Sequence, residues 1–299
     1  MSGGSAGRLG GTAMALLYSF RSVMAVFWRN KKSLVGLIIV ITFVLIAVLA
    51  PYESPYNPTG FSTGPAWQPP SLAHPMGTDY VGHDLWSQFV WGARISLEVG
   101  FLAGAMVQIL GNTLGILSGY IGGKVDDGLM RIVDIFLTLP TLPLIILLIV
   151  FLPFHGPLVV TLVIVITSWA GHTRNMRAQS YSYRERDFIL AAKASGYGSL
   201  RISFSEIFPN ILSLAMAGMM YSIVAAIGAE AALDFLGLAS GNTVSWGTML
   251  YWAQSEGAII NGTWWWIVPP GLALALIGFG LVMMNYAFDE LFNPRLRVL

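Results

Sequence analysis

Six stretches of largely apolar residues divide the chain, at about 34–50, 95–120, 133–151, 157–170 with a continuation to 172, 211–236 and 265–286. A helix needs roughly 20 mostly apolar residues to cross a bilayer, so each stretch predicts a membrane-spanning α-helix. One polar, helix-forming segment interrupts this pattern between the fourth and fifth stretches: RDFILAAKASGYGSLRISFSEIFPN, residues 186–210, with Arg186, Lys193 and Arg201. Ala191 and Ala192, then Gly196, then Pro209 predict a short helix, a glycine turn, a second helix and re-entry into the membrane. Pro209 suits a helix start, where its missing N–H and fixed φ cost nothing. A compact helix–turn–helix projecting from a bilayer is shaped to be gripped by a soluble partner.

Composition agrees with the pattern. Of 299 residues, 55% are hydrophobic and 10% charged, against about 25% charged in a soluble domain. The fold class is therefore all-α integral membrane. The first apolar run exceeds the ~7–15 residues of a signal-peptide core and has no small-residue cleavage pattern, Ala50 being followed by Pro51; it reads as an uncleaved span. There is no cysteine, which excludes disulfides and thiol chemistry.

Charge sets the expected orientation. With a cytoplasmic N-terminus, fifteen of the sixteen lysines and arginines fall in inside segments, and Arg94 alone lies outside. That is the positive-inside bias, so both termini are expected in the cytoplasm. The chain then divides into a cytoplasmic tail (1–33), the first span with a sizeable extracytoplasmic loop (34–94), a core of five spans (95–287) and a cytoplasmic tail (288–299). The stretch from Arg8 to Lys32 reads as a lipid-facing tail helix. In the outer segment 51–93, Leu85, Phe89 and Val90 have helical spacing beside Trp86 and Trp91, as in a helix lying at the interface. The second outer segment, 237–263, leads into Trp264, Trp265 and Trp266, the signature of an aromatic belt.

Candidate chemistry is sparse. No GxxxxGK[ST] loop is present to cradle a nucleotide's phosphates, so the chain is not expected to hydrolyse ATP. No nucleophile–base constellation stands out; no catalytic residue is assigned. Glu230 and Asp234 lie four apart and share a face of the fifth span. Ionisable groups in a span normally face a cavity or a partner, so the pair reads either as pathway-lining or as a hydrogen-bonded group near the span's outer end. Gln108 and Asn112 form a similar pair in the second span, suited to interhelical hydrogen bonding or to the pathway. His74, Asp79, His83 and Asp84 are metal-ligand types.

The motifs resemble a known family. HPMGTDYVGHDLWSQFVWGARISLEVG (74–100) is similar to the HPLGTDxxGRDxxSRxxxGARxSLxVG signature of ABC-importer permeases for dipeptides, oligopeptides and nickel. GYIGGKVDDGLMRIVDIFLTLP (119–140), RERDFILAAKASG (184–196), EIFPN (206–210), GAEAALDFLGL (228–238), SWGTML (245–250) and NPRLR (293–297) follow in family order. The pattern is that of the C-type permease. The resemblance implies that the segments holding His74, Asp79, His83 and Asp84 shape the outer loop, so no metal site is assigned. The resemblance implies a multi-pass cell-membrane protein of a prokaryote, working with a B-type permease, two ABC ATPases and an extracytoplasmic binding protein; no nucleic acid is expected as a partner. It implies that ATP and Mg are bound by the ATPases and that this chain holds no cofactor. Residues 186–210 become the ATPase-coupling segment, with Phe188, Ile189, Leu190, Ala191, Ala192, Lys193, Gly196, Arg201 and Pro209 as its expected working residues. Of these, Phe188, Ile189, Ala191 and Ala192 form the contact face. Four positions depart from the pattern: Leu190 stands where the family has glutamate, Phe208 replaces the leucine before the proline, His83 replaces arginine and Asp234 a serine. The implied cargo is a peptide, with an oligosaccharide or a nickel chelate as alternatives. An ion-coupled secondary transporter is the alternative from another class.

Overall fold

The computed structural model describes residues 25–60, 63–154, 156–238 and 243–292. Most of the expected tail helix and the whole NPRLR motif lie outside the described residues. Nine labelled helices follow: α1 (Lys31–Glu53), α2 (Leu85–Ile121), α3 (Gly123–Thr138), α4 (Thr141–Phe151), α5 (Pro157–Tyr183), α6 (Asp187–Ala194), α7 (Leu212–Phe235), α8 (Trp246–Ser255) and α9 (Trp264–Phe292). The described residues are all-helical, and among them five helices are long and apolar enough to cross a membrane, or six if the bent pair α3–α4 is one span.

That bent pair departs from the sequence expectation of a continuous helix over 133–151. The two helices meet at 88°. Pro140 has no N–H to donate and disfavours helical backbone in the residue before it; Leu139 is accordingly extended, at φ −84° and ψ 132°. With 11 residues, α4 is only about 16 Å long at 1.5 Å per residue, well short of a hydrocarbon layer ~30 Å thick.

The expected interfacial helix also differs. Residues 85–94 do not lie apart from the second span but continue it, so α2 is a single helix of 37 residues, about 55 Å long. Asp84 starts it by accepting from the Ser87 N–H at 2.8 Å, a side-chain N-cap. Leu85, Phe89 and Val90 are buried, facing α1, α8 and α9 rather than lipid. The tryptophans divide likewise: Trp264 is exposed, as a belt residue would be, but Trp246 and Trp266 are fully buried in the core.

Glycine makes α2 the axis of the bundle. Gly111, Gly115 and Gly119 lie four apart on the face turned to α5, where a Cβ at Gly115 would sit 2.5 Å from the Thr173 carbonyl oxygen. Gly100 and Gly104 do the same against Ile227 and Ile223 of α7. Small residues at this spacing let helix backbones meet closely, which is how dispersion holds helices together where lipid is as apolar as the side chains. At the C-terminal end of α2, Arg177 of α5 grips Asp126 of α3 with Nε 2.9 Å from Oδ1, and Arg174 pairs with Asp134. These pairs hold α3 against α5. Arg174 and Arg177 thus belong to a long α5 of 27 residues rather than to a loop after the fourth span.

Candidate functional site

The segment after α5 folds as a helix, a glycine turn and an irregular second helix. In α6, Asp187 occupies the first turn and Lys193 the last, each complementing the helix dipole. Gly196 ends it with φ +79°, while the Tyr197 N–H donates back to the Ala192 carbonyl at 3.1 Å, a left-handed C-terminal stop that suits glycine. The second helix starts as one turn at Ser199–Arg201, loosens into a π-helix at Ile202–Ile207, and tightens into a 3-10 turn at Phe208–Ile211 that contains Pro209.

The expected contact face is split by the fold. Ile189 and Ala192, three apart, are buried and pack with Ile116, Tyr120, Met176, Ile202 and Ile207. The apolar stripe therefore seats α6 on its own chain, because i, i+3 positions share one face. Phe188, Leu190 and Ala191 point outward with Lys193 and Gly196. Leu190 is 48% exposed, on the face that also carries Asp187 and Lys193, three residues to either side. The basic side chains brace the seat: Lys193 Nζ lies 5.9 Å from the Tyr120 ring centroid, and the Arg201 guanidinium 3.8 Å from that of Tyr197.

Within the bundle the expected polar pairs join two separate clusters. Gln108 donates from Nε2 to Asn112 Oδ1 at 2.8 Å. Its Oε1 accepts from Ser222 Oγ of α7 at 3.2 Å, and Ser222 Oγ lies 3.0 Å from His172 Nε2 of α5. His172 and Ser222 line a cavity of about 490 Å³ bounded by α3, α4, α5 and α7; Gln108 supports them from behind. The second cluster lies at the C-terminal end of α7. Ser96 Oγ of α2 donates to Glu230 Oε1 at 3.3 Å, and Ser245 Oγ donates to Asp234 Oδ2. Ser245 is also the N-cap of α8, in a capping box with Thr248. Both carboxylates are buried, and the void they share is about 10 Å³. Of the two, only the first cluster opens onto a space of ligand size.

The loop 51–84 is held by histidine–carboxylate pairs. His74 Nδ1 lies 2.8 Å from Asp84 Oδ1, and His83 Nδ1 lies 2.6 Å from Asp79 Oδ2. Asp84 and Asp79 bond the backbone as well, Asp79 Oδ1 accepting from the His83 N–H at 2.8 Å. Gly82, at φ +86°, brings the loop against the Gly64 carbonyl, where a Cβ would collide. Among the described residues no cluster of three or more His, Asp or Glu could hold a metal. Tyr80 stacks between Trp252 and Trp266, 6.1 Å from each ring centroid; partial burial, then Glu256 and Asp79, push its phenol above the ordinary value.

Sequence reading missed His172, Ser222, Ser96 and Ser245. Ser245 alone had a local structural signal, the S-x-x-T spacing before an apolar run; Ser96 stood in the 74–100 signature without an assigned partner. His172, Ser222 and Ser96 acquire meaning through neighbours 50, 114 and 134 residues away.

Comparison with known proteins follows the same lines. Residues 111–298 match the family described as the binding-protein-dependent transport system inner membrane component, and residues 19–70 the N-terminal TM domain of oligopeptide transport permease C. The chain is 33% identical to the dipeptide transport system permease protein DppC of Bacillus subtilis over 273 residues, 90% of this chain and 83% of that one. It is 33% identical to the oligopeptide transport system permease protein OppC of the same organism over 281 residues, 93% and 90% of the two chains. With DppC of Haemophilus influenzae it shares 32% over 295 residues, 94% and 98% of the two chains. The family match over residues 111–298 and the likeness to these permeases over 90% or more of its length place this chain in the family of inner-membrane components of binding-protein-dependent transport systems.

Proposed function

We propose that the chain is the C-type permease of an importer for di- and oligopeptides. In this reading it pairs with a B-type permease, two ABC ATPases that bind ATP and Mg, and an extracytoplasmic binding protein that delivers the peptide. Both termini and α6 face the cytoplasm, following the distribution of lysine and arginine. The relatives named above support the peptide cargo by what they are called.

The observation that carries the reading is the way α6 is mounted. Its inner residues join one apolar cluster with Ile202 and Ile207 of the following segment, Ile116 and Tyr120 of α2 and Met176 of α5, while Leu190 and Ala191 are exposed and Phe188 is exposed beside the Tyr183 ring. An ATPase groove closing on that outer face pushes on two long helices at once, as a rigid-body movement requires. Leu190, in the place of the family's glutamate, makes this contact apolar. Gln108 and Asn112 serve the pathway indirectly, through Ser222 and His172. Glu230 and Asp234 act as a brace at the other end.

Co-purification of the ATPases with single variants, alongside uptake in vesicles, tests this. Leu190→Asp buries a charge against an apolar contact and Ala191→Trp holds the surfaces apart; both should lose ATPase association and uptake while the permease pair assembles normally. Full association with wild-type uptake in both variants removes α6 as the coupling element. Ala192→Trp does not isolate docking, since Ala192 is buried in its own chain.

A further inference from the structure

The cavity between the bent pair and the bundle has a lining of unusual chemistry for its place. At about 490 Å³ it falls within the ~300–1,000 Å³ of small-molecule sites. Among the described residues that line it there is no aspartate, glutamate, lysine or arginine, and one benzenoid ring, Phe136. Polar character comes from the hydroxyls of Thr141, Thr167, Ser168 and Ser222 and from the His172 imidazole. The rest is aliphatic or small.

Hydrogen-bond inventory assigns the imidazole. Ser222 Oγ has one proton and lies within reach of Gln108 Oε1 at 3.2 Å, the Gly218 carbonyl at 2.9 Å and His172 Nε2 at 3.0 Å. Two of these are pure acceptors. With that proton on either of them, the 3.0 Å contact to the ring is a hydrogen bond only if His172 Nε2–H donates to Ser222. His172 Nδ1 is then the acceptor that the ring offers, on a residue that lines the cavity.

We propose that this cavity is the part of the substrate path built by this chain and that it takes the backbone of a short peptide. This rests on the peptide-permease reading above. A peptide amide is uncharged and polar, and its N–H matches an acceptor such as His172 Nδ1, while the aliphatic surroundings tolerate varied side chains. A chelated cation calls for carboxylates at the wall, and a sugar calls for flat aromatic faces and many polar partners. The lining supplies neither.

Two positions allow the path to be narrowed without breaking the fold. A Cβ at Gly228 of α7 meets nothing within 4 Å, and one at Gly171 of α5 meets only Leu137 Cδ2 at 3.9 Å. In the reconstituted importer with its binding protein and ATPases, Gly228→Leu and Gly228→Phe should fill the cavity stepwise. Expected is a loss of tripeptide uptake before dipeptide uptake, with ATPase association unchanged. His172→Leu should lower uptake efficiency by roughly two- to tenfold, the scale of one hydrogen bond between uncharged groups, and His172→Gln, which retains an acceptor, should recover part of it. Wild-type uptake of both peptides by an assembled Gly228→Phe importer overturns the assignment and leaves the permease reading intact. So does efficient cross-linking of Gly228→Cys to the sister permease throughout the transport cycle, in this chain without cysteine, because the cavity is then a subunit contact. An intact wild-type importer that carries no peptide overturns the reading underneath.

Discussion

Glu230 and Asp234 sit near one end of α7, and Ser222 nearer its middle, yet the same helix uses them on opposite terms. The acidic cluster is closed: two carboxylates, two serines and the cap of α8 leave a void of about 10 Å³. The uncharged cluster is open, with His172 and Ser222 on the wall of about 490 Å³. Ionisable groups in a bundle core are tolerated where they face one another and other polar groups rather than lipid. Weak, uncharged hydrogen-bonding groups are the ones left facing open space, where a passing ligand must be released as readily as it is bound. Under the proposed path, the expensive groups hold the protein together and the modest ones are placed for traffic.

Substitutions can pull these roles apart. The largest effect is expected from Asp234→Leu, which strips Ser245 of its acceptor at the start of α8 and leaves Glu230 beside an apolar neighbour. Hydrogen bonds to charged groups contribute about 1.5–3 kcal/mol, so thermal unfolding in detergent should show destabilisation on that scale, with new protease cleavage within 237–263. Asp234→Asn, which keeps an oxygen for Ser245, should recover much of it; equal losses in the two variants would mean that shape rather than hydrogen bonding holds α8.

Next in size is Gly115→Leu. The added side chain meets the Thr173 carbonyl, and overpacking of this kind typically costs ~1–3 kcal/mol. Moving α5 off α2 should disturb His172 and its cavity while the acidic cluster stays whole. Uptake is thus expected to fall further than resistance to cleavage at 237–263, and the reverse order would erase the distinction between the clusters. Ser222→Ala should have the smallest effect on stability, about 1 kcal/mol for one net hydrogen bond, but a visible one on uptake, because His172 loses the group that fixes its ring. A transport rate as in the wild type would show that the imidazole needs no such support.

Much of the fold was legible because a bilayer constrains it so strongly. Apolar length alone located α1, α7 and α9, and lysine and arginine placement set their expected sense. The bend at Leu139–Pro140 was visible as a proline yet hidden by the apolar run on either side, since hydropathy carries no direction. The continuity of α2 from Leu85 was obscured by Arg94 and Glu98, which mark a surface in a sequence and sit on the exposed side of one long helix in the fold. In the coupling segment the helix, glycine turn and second helix were legible, but of the expected contact face Ile189 and Ala192 turn inward while Phe188 and Ala191 stay exposed. Alanine reads equally as a docking surface or as a seat, and only Ile116 and Met176, far off in sequence, decide that Ala192 is the seat. His172 had no local signature, and its role emerges from α2 and α7.

The unbroken length of α2 has a mechanical corollary. Asp84 ties its first turn to the loop, and Ile116 and Tyr120 near its last turn touch the seat of α6, so one stiff rod of about 55 Å joins the two faces of the protein. A tilt of about 5° around the middle of such a rod sweeps each tip sideways by roughly 2.4 Å, in opposite directions. A nudge against α6 therefore arrives at the far surface reversed in sense and undiminished in size, with no joint along the way to absorb it.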